Sequence, residues 1–468
     1  MKRILFILAA ALISLQALAQ SSYSSYGDAV IDALHDHILA GITGAAEADA
    51  YTIDITKMGA KGDGLKDCLP AFRSAFSRIE KRGGGRIVVP AGTYLLRGPL
   101  HLVSNLRLEL QEGATLLFDP TPELYLPMVQ TSWEGTFVQN YSPFIYARGL
   151  HDITITGRGT IDGNAAATFS TWRPIQDPDK QVSRRMNHEE VPVAQRNFGE
   201  GHFLRPQLIQ FFDCERITVE GVFMTNSPFW CLHLLRCDNV IVRGVRYDAK
   251  LVNNDGIDPE YTRNLLIEDV DFDNGDDNVA IKAGRDNDGW ASDRCSENII
   301  IRNCRFKGLH AVVIGSEMSA GVRNVFVEDC TTRGYTKRGL YVKTNPDRGG
   351  FVENIFMRDC YFEEVEDLFY VTSLYAGEGA DNIHFSRINN IIIRGLKCPK
   401  VTQSAIAIQG TVAKPVTNVV LEGIQVGTAA KPLSMVNTDV VRMKDCIIGD
   451  AILGAPSTAS EKDNLFVR

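Results

Sequence analysis

The chain has 468 residues and no basic excess: Lys plus Arg number 49 against 57 for Asp plus Glu, a net charge of −8. A nucleic-acid binder usually carries the opposite balance, so that class is disfavoured. Beyond the first twenty residues there is no run of eighteen uninterrupted apolar side chains, so no membrane-spanning helix is predicted. Neither an LxxLxL pattern nor paired helices recur, which disfavours leucine-rich and helical repeats. Apolar residues at 44% and charged residues at 23% exclude a disordered or collagen-like chain. An anionic ligand is not excluded, but it needs a local basic pocket working against the global field.

At the start, Lys2 and Arg3 precede an apolar run from Ile4 to Leu15 and the small residues Ala17-Leu18-Ala19. This is the pattern of a secretory signal peptide over residues 1–19, cleaved before Gln20. Its removal takes the net charge to about −10. An exported protein, periplasmic or secreted, is therefore expected. Ten cysteines in such a chain first suggest disulfides. Cys304, Cys330 and Cys360, however, close the same local pattern: NIIIRNC, NVFVEDC and NIFMRDC. Cysteines at one repeat position predict a buried stack of free thiols. Pairing of Cys214 with Cys231 or Cys237 stays open.

That pattern organises the chain. Related segments begin at Asp152, Arg216, Asn239, Asn264, Asn298, Asn324, Asn354, Asn390 and Asn418, and from 216 onward the starts are 23, 25, 34, 26, 30, 36 and 28 residues apart. Each is a short β-branched run with one face to bury. A period of this length without long helices predicts an all-β solenoid, a right-handed single-stranded parallel β-helix with a short N-terminal helical cap. The expected division is a leader over 1–19, a helical or linker segment over 20–50 and a β-helix over 51–468. Helices are predicted at 28–42 and from Leu69 to Arg82. His35 and His37, two apart, do not share a helix face and are expected to be exposed. Residues 164–205 interrupt the repeat with a long polar insertion containing Arg173, Lys180, Arg184, Arg185, His188, Arg196 and Arg205, read as a loop that is either functional or a solvated excursion.

Two acidic clusters lie in consecutive coils, Asn253-Asn254-Asp255-Gly256-Ile257-Asp258 and Gly275-Asp276-Asp277. Aligning Val270 with Cys304 places Asp276 opposite His310, roughly 5 Å away across a strand pair. Asp255 falls one coil earlier and Lys343 about one coil later. The expectation is a line of Asp255, Asp276, Asp277, His310 and Lys343 along one groove. Carboxylates so close cannot all ionise freely, and a protonated acid beside an ionised partner is the apparatus of glycosidic cleavage. A calcium site is the rival reading.

With these residues the chain resembles the polygalacturonase family of pectin-degrading glycoside hydrolases, over most of its length. The resemblance is carried by Gly59-Ala60-Lys61-Gly62-Asp63-Gly64, Gly157-Arg158-Gly159-Thr160-Ile161-Asp162-Gly163, Asn226-Ser227-Pro228-Phe229-Trp230 with His233, the two acidic clusters, and Ile314-Gly315-Ser316. It implies Asp276 as general acid, Asp255 and Asp277 as carboxylates that activate water for single displacement with inversion, and His310 as the histidine that sets the acid's protonation. It implies Lys343, with Asn253, on the substrate side, and it implies no metal or cofactor. Leu309 and Ala311 stand where the family has glycines beside the histidine. Tyr341 stands where the family has an arginine partner for Lys343, and a phenol cannot replace a bidentate guanidinium. Arg338, Lys282 and Arg285 are the candidates for that role. Tyr370 and Tyr375 are expected to pack rather than stack on sugar.

The run from Asn253 to Glu260 and Gly275-Asp-Asp-Asn-Val-Ala-Ile-Lys-Ala-Gly-Arg285 resemble bacterial members that act from chain ends, with the 164–205 insertion available to close the groove. The implied function is an exported, inverting, exo-acting galacturonosidase on pectic oligosaccharides or polysaccharides, with no nucleic-acid or membrane partner and an open oligomeric state. A rhamnogalacturonan hydrolase, a calcium-dependent pectic lyase and a non-catalytic glycan-binding β-helix are the alternatives.

Overall fold

A computed structural model of the chain describes residues 28–48, 51–376 and 383–454; the expected leader lies outside the described residues. The chain divides into two compact units, one ending at Gly41 and one beginning at Ile42. In the first, helix Asp28–Gly41 buries Ile31, His35 and Ile38. These lie at i, i+4 and i+7 and so share one stripe. That corrects the expectation for the histidine pair: His37 is exposed, but His35 belongs to the apolar face and is buried.

In the second unit the repeat winds into a right-handed parallel β-helix. Two parallel sheets of thirteen strands and one of six form its faces. Antiparallel pairing among the described strands is confined to Val129–Trp133 with Thr136–Asn140 and to Cys446–Ile448 with Ala451–Leu453. The coil lengths read from the sequence are those of the register: Ile217, Val240, Leu265, Ile299, Val325, Ile355, Ile391 and Val419 are paired in series.

The recurring motif now has a backbone reason. The asparagine that opens each segment adopts a left-handed conformation, with φ between 55° and 59° at Asn264, Asn298, Asn324, Asn354, Asn390 and Asn418. Asparagine tolerates that region better than other non-glycine residues. From Asn298 onward each side-chain amide donates to the oxygen of the asparagine one coil earlier, at 2.6–3.1 Å. The residue that closes each segment is left-handed too, as Asp269, Asn303, Asp329, Asp359, Gly395 and Gly423 show. Two such corners flank four residues of strand in each of these coils.

Just before the second corner, one outward position forms a column: Glu220, Arg243, Glu268, Arg302, Glu328, Arg358, Arg394, Glu422 and Lys444 are paired in register. Opposite charges alternate along it except at Arg358 beside Arg394. Arg302 meets Glu268 at 2.6 Å and Arg358 meets Glu328 at 2.8 Å. Opposite-charge neighbours across strands each contribute roughly 0.2–1 kcal/mol.

Inside, Ile, Val, Leu and Phe from all faces form one continuous core. All ten cysteines are free and buried. The stack at Cys304, Cys330 and Cys360 is thus as expected, and Cys214 forms no bridge to Cys231 or Cys237. Helix Leu69–Lys81 closes the first coil with Leu69, Phe72, Ala75, Phe76 and Ile79.

Residues 164–205 are not the bare loop expected. They contain helix Asp177–His188, with a proline in its first turn, Asp177 and Asp179 at its start and Arg185 and His188 at its end. That charge placement complements the helix dipole, and the Asp-Pro-Asp start was a readable signal.

Candidate active site

Four successive coils bring the acidic clusters together. Asp255 sits two residues before Ile257, Asp277 two before Val279, His310 two before Val312 and Arg338 two before Leu340, and those four apolar residues are paired in series. Asp367 continues the row, opposite Arg338. The sequence alignment expected Asp276 opposite His310; the register places Asp277 there. Asp271 pairs with Arg305, 34 residues on, whereas Val279 pairs with Val312, 33 on. The corner between them differs by one residue in the two coils, and one residue is enough to exchange the two carboxylates.

Asp255, Asp276 and Asp277 each present an oxygen within 4.8 Å of the others. Asp277 is buried and flanked by two donors: His310 Nδ1 lies 2.5 Å from its Oδ1 and Lys343 Nζ 3.2 Å from its Oδ2. Burial opposes its ionisation, but Lys343 and then His310 outweigh burial and hold its carboxyl well below the usual range. Asp276 is only partly buried. Desolvation, followed by the charge of Asp277, pushes it up to about 6. Asp255 is buried with Oδ1 unpartnered, and desolvation plus the neighbouring Asp258 raise it well above its ordinary value. Three neighbouring carboxyl groups thus separate into one ionised and two that favour the proton, the division that acid–base catalysis needs. Such a trio also suits a cation in its oxygen chemistry, but the Lys343 ammonium already faces Asp277 and His310 occupies its other oxygen.

Other expected residues fall differently. Asn253 is engaged at both ends of its amide: Oδ1 accepts from Arg205 at 2.6 Å and Nδ2 donates to Asp276 at 3.3 Å. It thereby links Arg205 to Asp276. Lys282 and Arg285 have partners within the protein. Both are buried against Glu317, at 3.4 and 2.8 Å, and Arg285 also donates to the Glu134 carbonyl. Glu317 is held well below the carboxylate range because Lys282, Arg285 and Arg348 outweigh its burial. A buried anion therefore consumes the cations that seemed available to a uronate. Glu317 follows directly on the Ile314-Gly315-Ser316 motif, and its adjacency was the missed signal.

Tyr341 is buried between the rings of Tyr370 and His310, with centroids at 5.3 and 5.1 Å. Arg338 lies over Tyr341 and Tyr370 at 4.4 and 4.3 Å, and Lys343 faces Tyr341 and Tyr375. Tyr370 packs as expected, whereas Tyr375 is 37% exposed at the edge.

The insertion reaches this site. Arg205, fully buried, stacks over Phe229 and holds Asn253. Arg184 pairs with Glu134 at 2.8 Å, Asn187 donates to the Arg285 carbonyl, and Arg196 pairs with Asp288 at 2.6 Å.

The model of glycosyl hydrolases family 28 matches residues 85–446. The chain belongs to this family. As a family 28 member it is a glycoside hydrolase of the polygalacturonase type. Among its relatives, a probable polygalacturonase of Vitis vinifera is 28% identical over 440 residues, covering 90% of this chain and 84% of that protein. An exo-poly-α-D-galacturonosidase of Dickeya chrysanthemi is 25% identical, covering 74% and 60%. In structure, a hyperthermoactive exopolygalacturonase from Thermotoga maritima superposes with a TM-score of 0.85 at 34% identity, over 91% of this chain and 97% of that one.

Proposed function

We propose that this protein removes galacturonic acid from the ends of pectic chains by single displacement with inversion, after export from the cell. The observation that carries the reading is the separation of Asp276, pushed up to about 6, from Asp277, held ionised by Lys343 and His310. Asp276 gives its proton to the leaving glycosidic oxygen. Asp277, the ionised carboxylate, takes a proton from the attacking water beside Asp255, and Lys343 meets a uronate carboxylate.

The carboxylate spacing is tighter than the roughly 6.5–9.5 Å usual when a water lies across the sugar from the acid. Inversion at this spacing still requires the water held by Asp277 to reach the anomeric carbon from the face opposite the leaving oxygen. The exo mode is supported by the insertion, whose Arg205 anchors it against the coil that carries Asp255, and by the exo-acting relatives. Export is supported by Lys2, Arg3 and the apolar run to Leu15.

Digestion of reduced-end-labelled oligogalacturonides and of rhamnogalacturonan fragments, with and without a chelator, tests the reading. The expected result is chelator-insensitive release of monogalacturonate from the first time point, born as the β-anomer by proton NMR. Early mid-length products would overturn exo action, an α-anomer would overturn inversion, and unsaturated ends would identify a lyase. A mature N-terminus at Gln20 in the extracytoplasmic fraction is the expected sign of export; an uncleaved cytoplasmic chain would reject it.

A further inference from the structure

The row of site residues does not end at His310. Along one line, Asp277 Oδ1 meets His310 Nδ1 at 2.5 Å, His310 Nε2 meets Arg338 Nη1 at 3.4 Å, and Arg338 forms an ion pair with Asp367, Nε to Oδ2 at 3.2 Å. Asp367 Oδ1 in turn accepts the backbone N–H of Ser404 at 3.1 Å. Arg338 is further fixed between the rings of Tyr341 and Tyr370.

We propose that Arg338, clamped by Asp367, is a positioning residue that keeps the His310 proton on Nδ1, directed at Asp277. The inference rests on the functional reading above and names a residue through which that site is controlled.

A guanidinium carries only donors. The imidazole nitrogen facing it must therefore offer a lone pair, and the ring proton lies on the other nitrogen. That nitrogen faces Asp277, which accepts. With the opposite tautomer, an N–H would face the N–H of Arg338, and the Nδ1 lone pair would face a carboxylate. Only a proton moved onto Asp277 would relieve that arrangement, and a protonated Asp277 no longer accepts one from water. Tyr341 fits the same account. Where an arginine would have pointed at substrate, its ring is one wall of the slot that holds Arg338. The same ring orientation that fixes a metal-bound or triad histidine through its second nitrogen is achieved here from the far side.

Nitrogen-15 NMR of the full-length protein labelled at histidine, with the His310 ring assigned by difference against His310→Gln, reads the tautomer without substrate. The expected wild-type ring is protonated at Nδ1, and Arg338→Met populates the Nε2–H form. In turnover of trigalacturonate, Arg338→Met lowers kcat about 10- to 100-fold with little change in KM, the loss expected for one hydrogen bond to a charged group. Arg338→Lys recovers part of that loss. Arg338→Met with Asp367→Asn removes the carboxylate orphaned by the first change and supplies the same readouts should the single variant misfold. An unchanged ring in Arg338→Met, or a wild-type ring protonated at Nε2, would overturn the proposal. So would a rise in KM with kcat unchanged, which would make Arg338 a ligand of the substrate carboxylate. If wild type turns over no galacturonide, the functional reading fails while the ring measurement still judges this one.

Discussion

At the scale of single residues, Asp276 and Asp277 are neighbours in sequence with opposite protonation, because their surroundings differ. Asp277 faces an ammonium and an imidazole, whereas Asp276 faces Asp277 itself. A general acid works only while protonated, so kcat/KM should fall as pH rises through about 6, the value to which Asp276 is pushed. The acid limb, set by Asp277, lies well below the ordinary carboxylate range. Asp276→Asn should lower kcat by about 10²–10⁴-fold and abolish the alkaline limb, measured as a pH–rate profile on oligogalacturonide. Lys343→Met removes the main positive charge from both aspartates. Asp277 and Asp276 then rise together, so both limbs should move to higher pH, with a higher KM for uronate-containing substrates. An unmoved profile would take Lys343 out of the site.

At the scale of elements, the charge column tests whether the coils are held by more than their core. Glu328→Arg would set four arginines in succession, from Arg302 to Arg394. Like charges directly opposite are destabilising, and urea unfolding should show a loss of about 1–2 kcal/mol. Activity at low temperature should be kept, because the column lies on a different sheet from the site. The strands and their spacing were legible in the sequence because each is a local pattern. The column was legible too, as the alternating final charges of IIIR, VFVE and IFMR. The helix at Asp177–His188 was signalled by its charges but obscured by low hydrophobicity. The pairing of His310 was not legible, since a coil-to-coil partner depends on the length of every corner between.

At the scale of the whole molecule, Asp258 shows how the site taxes the fold. It is fully buried with both oxygens lacking a hydrogen bond, and Lys282 stands 3.8 Å away. Desolvation raises it well above its ordinary value despite Lys282. A raised folded-state pKa contributes stability that is complete below the unfolded value and lost as pH rises through the folded one. Asp277 and Glu317 are depressed instead, and their contribution is lost at the acid end. The two trends place greatest stability in mildly acidic solution. Asp258→Asn should flatten the alkaline fall and raise Tm at pH 8 by about 1–3 °C; a Tm as steeply pH-dependent as wild type would refute this role.

The sequence by itself determined the coil. Alternating apolar residues, left-handed asparagines and free cysteines at one repeat position are all properties of a few adjacent residues, and the family's motifs lie within such segments. It also placed Asp255, Asp276, Asp277, His310 and Lys343 in one neighbourhood. The tertiary structure alone decided which aspartate faces His310, that Glu317 takes Lys282 and Arg285 away from the groove, and that Asn253 holds Asp276. It also joined Arg338 to both His310 and Asp367. The reason is that these partners lie 23 to 35 residues apart in the chain and meet only through strand register. One residue more or less in a corner moves a charge from its partner to its neighbour, and in a desolvated site that is the difference between an acid and a base.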